Sequence, residues 1–81
     1  MELRDTVEMM NSSDYRERFK AEYYQTKIRY EKLHKFIVKI EAGTLDFEPD
    51  CPLDVLVAQK RYMGKYLHML EIRAEIENIE L

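Results

Sequence analysis

Apolar positions return along this chain at steps of four and three, and two long stretches do so without interruption. From Phe19 the series Phe19, Tyr23, Thr26, Tyr30, Leu33, Ile37 and Ile40 keeps to one face of a helix. Such a 4-3 alternation is the seam of two antiparallel helices packed side by side. A matching series, Leu53, Leu56, Lys60, Met63, Leu67, Leu70 and Ala74, follows in the second half, with one lysine inside it. Helix punctuation brackets both. Asp14 with Glu17 three residues later forms a capping-box-like start, and Gly43 stands where a helix-ending glycine belongs. Pro52 sits at a first helical position, with Asp54 in the first turn, where the helix dipole favours an acid. These signals predict helices over Asp14–Ala42 and Pro52–Ile79, joined by an acidic connector over 43–51. Because the connector is short, the helices must be antiparallel neighbours, and Leu45 and Phe47 are placed to fold back over the end of the hairpin. A short amphipathic helix over residues 2–10, with Leu3, Val7 and Met10 at helical spacing, precedes the break Asn11-Ser12-Ser13.

The second long helix has a further apolar stripe that the first lacks: Val55, Gln59, Tyr62, Tyr66, Met69, Arg73 and Ile76, flanked by Ile72 and Ile79. A helix apolar over most of its circumference needs more than one partner. Nine residues at the N-terminus cannot cover a helix of roughly 40 Å. The stripe, with Tyr62, Tyr66, Met69, Ile72 and Ile76 at its centre, therefore reads as a subunit interface, completed or not by the N-terminal helix. Length points the same way, since 81 residues form a single domain with a small core. The expected fold is all-α, a long antiparallel two-helix hairpin with a short N-terminal helix, in a homo-oligomer.

Charge is segregated. Residues 15–39 contain eight Lys/Arg against three Glu, residues 40–54 have five acids and no base, and from Glu71 onward four Glu face Arg73. Duplex nucleic acid is not expected as a partner, because the acidic segments would oppose broad phosphate neutralisation. No uncharged run is long enough to span a bilayer, so no membrane partner is expected either. The single cysteine, Cys51, excludes an intrachain disulfide, offers no metal-ligand spacing and suits a reducing cytosol.

Catalysis finds little support. His34 and His68 are on different helices, there is no glycine-rich phosphate loop, and no carboxylate lies inside an apolar stripe where its pKa would be raised. The reading is a binding protein, not an enzyme, with no cofactor and no metal. Its candidate surface is a basic and aromatic strip on the first helix, where Arg16, Lys20, Tyr24, Lys27 and Glu31 follow one another by four, four, three and four. Lysine and arginine answer phosphate, and a tyrosine ring beside them stacks on a base. Repeated across an oligomer, the strip suits a cyclic or pseudo-symmetric anion. A mixed Lys/Glu/Tyr helix face is also what an ordinary solvated surface shows.

The stretches DYRERFKAEYYQTKIRYEKLH (14–34), CPLDVL (51–56) and YLHMLEIRAEI (66–76) resemble a small helical protein family of crAss-like and other gut bacteriophages. The chain is also similar, more weakly, to the hairpin domain of phage anti-CBASS and anti-Thoeris proteins, oligomers that sequester cyclic nucleotide signals of bacterial immunity. Those proteins end their second hairpin helix with Gln-x-x-x-Met-x-x-x-Arg-Ala. Met69, Arg73 and Ala74 fit that spacing, and Lys65 takes the glutamine position. The resemblance implies a ligand contact for Arg73, looser counterparts in Tyr24 and Lys27, and an anti-defence protein acting in the host cytoplasm. Two other functions stay open: a protein–protein inhibitor or scaffold, for example of a nuclease or CRISPR effector, using acidic surfaces as a nucleic-acid mimic, and a structural assembly component.

Overall fold

The computed structural model describes all 81 residues and contains helices and no strands. A 3-10 turn, Leu3–Thr6, runs into the one-turn helix α1 (Val7–Met10), followed by α2 (Tyr15–Ala42) and α3 (Leu53–Glu77). Cross-helix partners run in opposite order, Tyr15 with Glu77, Tyr23 with Glu71 and His34 with Lys60, so α2 and α3 are antiparallel. Every position of the two predicted seams is buried or half-buried, and Phe19, Tyr23, Leu67, Leu70 and Ala74 form the main core with Ile79.

The ends of α2 follow from its punctuation. Asp14 is extended and its carboxylate accepts from the Arg16 N–H at 2.9 Å, which satisfies one of the free donors of the first turn. The reciprocal half of the expected capping box is absent: the Asp14 N–H donates to the Ser12 hydroxyl at 3.0 Å, and Glu17 faces Lys20 instead. At the other end Gly43 adopts φ 74°, a left-handed conformation that a Cβ would strain, and the Gly43 and Thr44 N–H groups close on Ile40 and Lys39 carbonyls.

Three expectations are corrected. Pro52 lies just before α3 with extended geometry, and the helix stops at Glu77 because Asn78 turns left-handed at φ 58°. Ile79 is then drawn back, its N–H bonded to the Ala74 carbonyl at 2.8 Å and its side chain buried in the core. The segment 2–10 is not one amphipathic helix. Its Thr6, only 1% exposed, is the packed residue, while Val7 and Met10 remain exposed. Finally, this segment packs on α2 and makes no contact with α3. The first helix therefore has a second seam, floored by the fully buried Ala21 and closed by Arg18 and Gln25, which bond the Ser12 carbonyl and the Met10 sulfur.

As a result the additional stripe of α3 stays bare. Val55, Tyr62, Tyr66, Met69, Ile72 and Ile76 are all exposed, Ile76 at 77%. The chain exposes 6054 Å², against about 5,200 Å² for a compact monomer of its mass. Its radius of gyration is 15.0 Å, whereas about 12 Å is usual for this length. No helix is long and apolar enough to cross a membrane.

Candidate functional site

Along one face of the hairpin the two helices leave a groove of about 230 Å³, lined by Tyr23, Lys27, Tyr30 and Glu31 of α2 and by Gly64, Leu67, His68 and Glu71 of α3. Its floor depends on Gly64. A Cβ built there would meet the Tyr30 ring at 3.4 Å, an ordinary contact distance, so the glycine adds open space beside the ring without the ring requiring it. Glycine inside a helix costs roughly 0.5–1 kcal/mol relative to alanine.

Tyr23 separates this groove from a larger open depression of about 610 Å³ near the end of α3. Its hydroxyl donates to the Glu71 carboxylate at 2.6 Å, and its ring is 5% exposed. Burial, followed by the hydrogen bond and charge of Glu71, pushes the phenol up to about 12. Tyr23 is therefore neutral at physiological pH and holds the two helices in register. Lys27 stands over its ring, 5.8 Å from the centroid, and Tyr24 packs edge-on at 5.2 Å. The larger depression is lined by Glu71, Glu75 and Glu80, a charge that repels phosphate. The smaller groove is mixed in charge, with Lys27 set against Glu31 and Glu71 in its lining, so its attraction for an anion is confined to the Lys27 side.

The five residues singled out as ligand contacts separate into two sets. Lys27 lines the groove, and Lys20 and Tyr24 share its strip of α2 without lining it, with Lys20 in a loose 3.9 Å pair with Glu17. Arg16 is occupied: its guanidinium donates to the Asn78 carbonyl at 2.8 Å and the Glu77 carbonyl at 3.4 Å, satisfying the free end of α3. Arg73 is occupied too, donating to the Tyr15 hydroxyl at 2.8 Å and to Glu77 at 3.2 Å, with its guanidinium 5.0 Å from the Phe19 ring centre. Two residues beyond Glu71, it points roughly 200° away around α3, out of the groove. The Tyr15 hydroxyl in turn donates to Glu77 at 2.6 Å. That bond raises the Tyr15 phenol and, with Arg73, lowers Glu77. Arg16 and Arg73 thus fasten the open end of the hairpin.

His34 and His68 are also placed apart. The Lys60 ammonium donates to His34 Nδ1 at 2.6 Å, and His68 joins the groove wall. No cluster of His, Cys, Asp or Glu suited to a metal ion occurs. Three features of the site were missed in the sequence reading: Gly64 as groove floor, the Tyr23–Glu71 latch and the membership of His68. An isolated glycine inside a strongly periodic helix is the one signal that pointed to the first. The other two depend on the register between helices.

A protein-family model described as Sequestin matches residues 13–76, most of the chain and nearly all of the hairpin. The chain belongs to the Sequestin family. No curated protein and no solved structure gives a significant match. The matched segment contains every residue of the smaller groove and all of the bare α3 stripe, and it leaves out the N-terminal turn that packs on α2.

Proposed function

We propose that this Sequestin-family chain is a phage anti-defence protein that binds, without turnover, a cyclic nucleotide signal of bacterial immunity in the host cytoplasm, and that it does so as a homo-oligomer. The observation that carries the reading is the pairing of tyrosines with lysines along one side of the groove: the half-buried rings of Tyr24 and Tyr30 are the aromatic surfaces a base could meet, and Lys27 with Lys20 answers phosphate. The family's name speaks for sequestration, and the residues lining the groove include no activated nucleophile and no metal cluster. In this reading Lys20, Tyr24 and Lys27 touch the ligand, and Arg16 and Arg73 hold the hairpin that presents them.

The proposed oligomer is supported by the bare surface of α3. A groove of about 230 Å³ is below the 300–1,000 Å³ of sites that enclose a whole small ligand. A cyclic nucleotide would therefore extend beyond the groove along the Lys20 and Tyr24 strip of α2. The bare stripe of α3, Val55 to Ile76, extends over roughly 30 Å, and a stable interface needs about 800 Å² from each partner. Tyr62, Tyr66, Met69, Ile72 and Ile76 are the residues assigned to that interface.

Calorimetry with cyclic di- and trinucleotides and cyclic ADP-ribose isomers, combined with native mass spectrometry, tests both halves. The expected result is micromolar or tighter binding by one ligand class, at least tenfold weaker in Lys27→Glu, and an oligomer dissociated by Tyr66→Lys with Met69→Glu. Absence of heat with every ligand would sink the sequestering function. If charge reversal at Asp46, Glu48 and Asp50 abolished anti-defence activity while Tyr24→Ala did not, the protein-inhibitor function would replace it.

A further inference from the structure

The connector end of the hairpin presents a second basic and aromatic constellation, distinct from the groove. A cavity of about 290 Å³ is lined by Lys32, Lys35, Phe36 and Lys39 of α2 and by Leu45 and Phe47 of the connector. It exists because of the turn at Gly43. The left-handed glycine and the bond from the Thr44 N–H to the Lys39 carbonyl at 3.0 Å send the chain back over the last turns of α2. Phe47 is thereby laid against Phe36, ring centres 6.1 Å apart and tilted by 33°. Phe47 nevertheless remains 59% exposed, so one face of its ring is open to a ligand.

The lysines around these rings have no anionic partner. The ion pairs of the molecule are Arg4 with Glu2, Lys20 with Glu17 and Arg73 with Glu77, and none involves Lys32, Lys35 or Lys39. Asp46 and Glu48 flank Phe47 in sequence, yet neither comes within ion-pair distance of the three ammonium groups. Lys32 and Lys35 are three residues apart and Lys35 and Lys39 four, spacings at which like charges on a helix repel. The dipole at the end of α2 favours Lys39, which lies in the last turn. It does little for Lys32. An anion seated between them would relieve the repulsion that the fold leaves standing.

We propose that this cavity is a binding site for a nucleotide, with phosphate oxygens on Lys32, Lys35 and Lys39 and the base stacked on the open face of Phe47. A nucleotide combines the two chemistries the site offers, a compact phosphate charge and a flat aromatic surface. At about 290 Å³ the cavity seats part of one nucleotide, a phosphate and one face of a base, and is too small for a cyclic dinucleotide. The site shares no residue with the Lys27 groove, so it does not rest on the sequestering function.

Amide-resolved NMR titration of the full chain with AMP tests the assignment, with adenosine and inorganic phosphate as half-ligands. Shifts confined to residues 32–47, with a Kd of about 1 mM or tighter and at least tenfold weaker binding by either half-ligand, support it. Lys35→Glu with Lys39→Glu should weaken AMP at least tenfold, Phe47→Ala likewise, and Lys27→Glu not at all. Because Phe47→Ala also removes a packing contact, the lysine variant, altered only at exposed side chains, keeps the result readable. No shifts at millimolar AMP, shifts centred on Lys27 and His68, or inorganic phosphate binding as tightly as AMP would each overturn the proposal.

Discussion

The two ends of the hairpin are built differently. At the open end, Phe19, Tyr23, Leu67, Leu70, Ala74 and Ile79 form one continuous core, and Tyr15, Arg16, Arg73 and Glu77 tie the helix termini across it. At the connector end, Ile37 is the only buried side chain, and the lysines beside it have no carboxylate partners. Apolar burial is the main favourable term in folding. The open end therefore holds the helices together, and the connector end is free to carry charges that an ordinary core would have to neutralise. The Lys27 groove lies between, where packing has thinned enough for a glycine to open the seam.

The largest test of this division compares two buried aliphatic residues. Leu70 is 1% exposed inside the six-residue cluster, and Ile37 is 4% exposed outside it. Truncation leaves a cavity whose cost depends on how far the surroundings collapse. Leu70→Ala should cost about 4 kcal/mol by urea unfolding and Ile37→Ala about 2 kcal/mol, both within the usual range for such changes. For a domain this small the first is most of the total stability. Equal losses at the two positions would show that the ends are equally packed, contrary to the comparison.

Most of this scaffold is legible in the sequence, and the exceptions have physical reasons. The seam of each helix and the bare stripe of α3 follow from periodicity, because both depend only on which residues share a face. The N-terminal segment was harder to read. Its apolar residues Leu3, Val7 and Met10 suggested a packed face, yet the contact is made through Thr6, whose hydroxyl bonds the Leu3 carbonyl at 2.7 Å and so loses its polar demand. Ala21 marks the receiving surface only by being small. The candidate site was legible in composition and not in partners. Lys20, Tyr24 and Lys27 share a strip as their spacing requires, whereas the engagement of Arg16 and Arg73 depends on the register between α2 and α3 and on the left-handed turn at Asn78.

A smaller effect sharpens the boundary between core and groove. Gly64→Ala places a Cβ at 3.4 Å from the Tyr30 ring, an ordinary van der Waals contact, and removes the conformational freedom of a mid-helix glycine. The variant should gain about 0.5–1 kcal/mol of stability. The same methyl group fills part of a groove of about 230 Å³. Thermal melting should rise while ligand binding at Lys27 weakens by roughly tenfold, or about 1.4 kcal/mol. If melting falls, Tyr30 is held too tightly to yield, and the groove belongs with the packed end of the hairpin.

The smallest effect at neutral pH, and the most diagnostic at high pH, belongs to the latch at the edge of that groove. Tyr23→Phe removes a hydrogen bond to a glutamate that solvent still reaches, so the loss at pH 7 should be about 0.5–1 kcal/mol. The pH dependence is more specific. The folded phenol ionises near 12, against 10.0 for an unperturbed tyrosine, because ionisation would set a buried phenolate beside the Glu71 carboxylate. A raised folded pKa means that the stability from the neutral phenol is fully present below pH 10. It is lost as pH rises from 10 towards 12, where the unfolded chain has released a proton that the folded chain keeps. The raised phenol of Tyr15 adds a decline of the same sign, caused first by its bond to Glu77. Unfolding free energy measured across that window should therefore fall less steeply in Tyr23→Phe than in the parent, and the late step in tyrosinate absorbance should shrink. Parallel curves for the two proteins would mean that Tyr23 is not latched to Glu71 in solution, and the wall that Tyr23 sets between the two depressions would lose its physical basis.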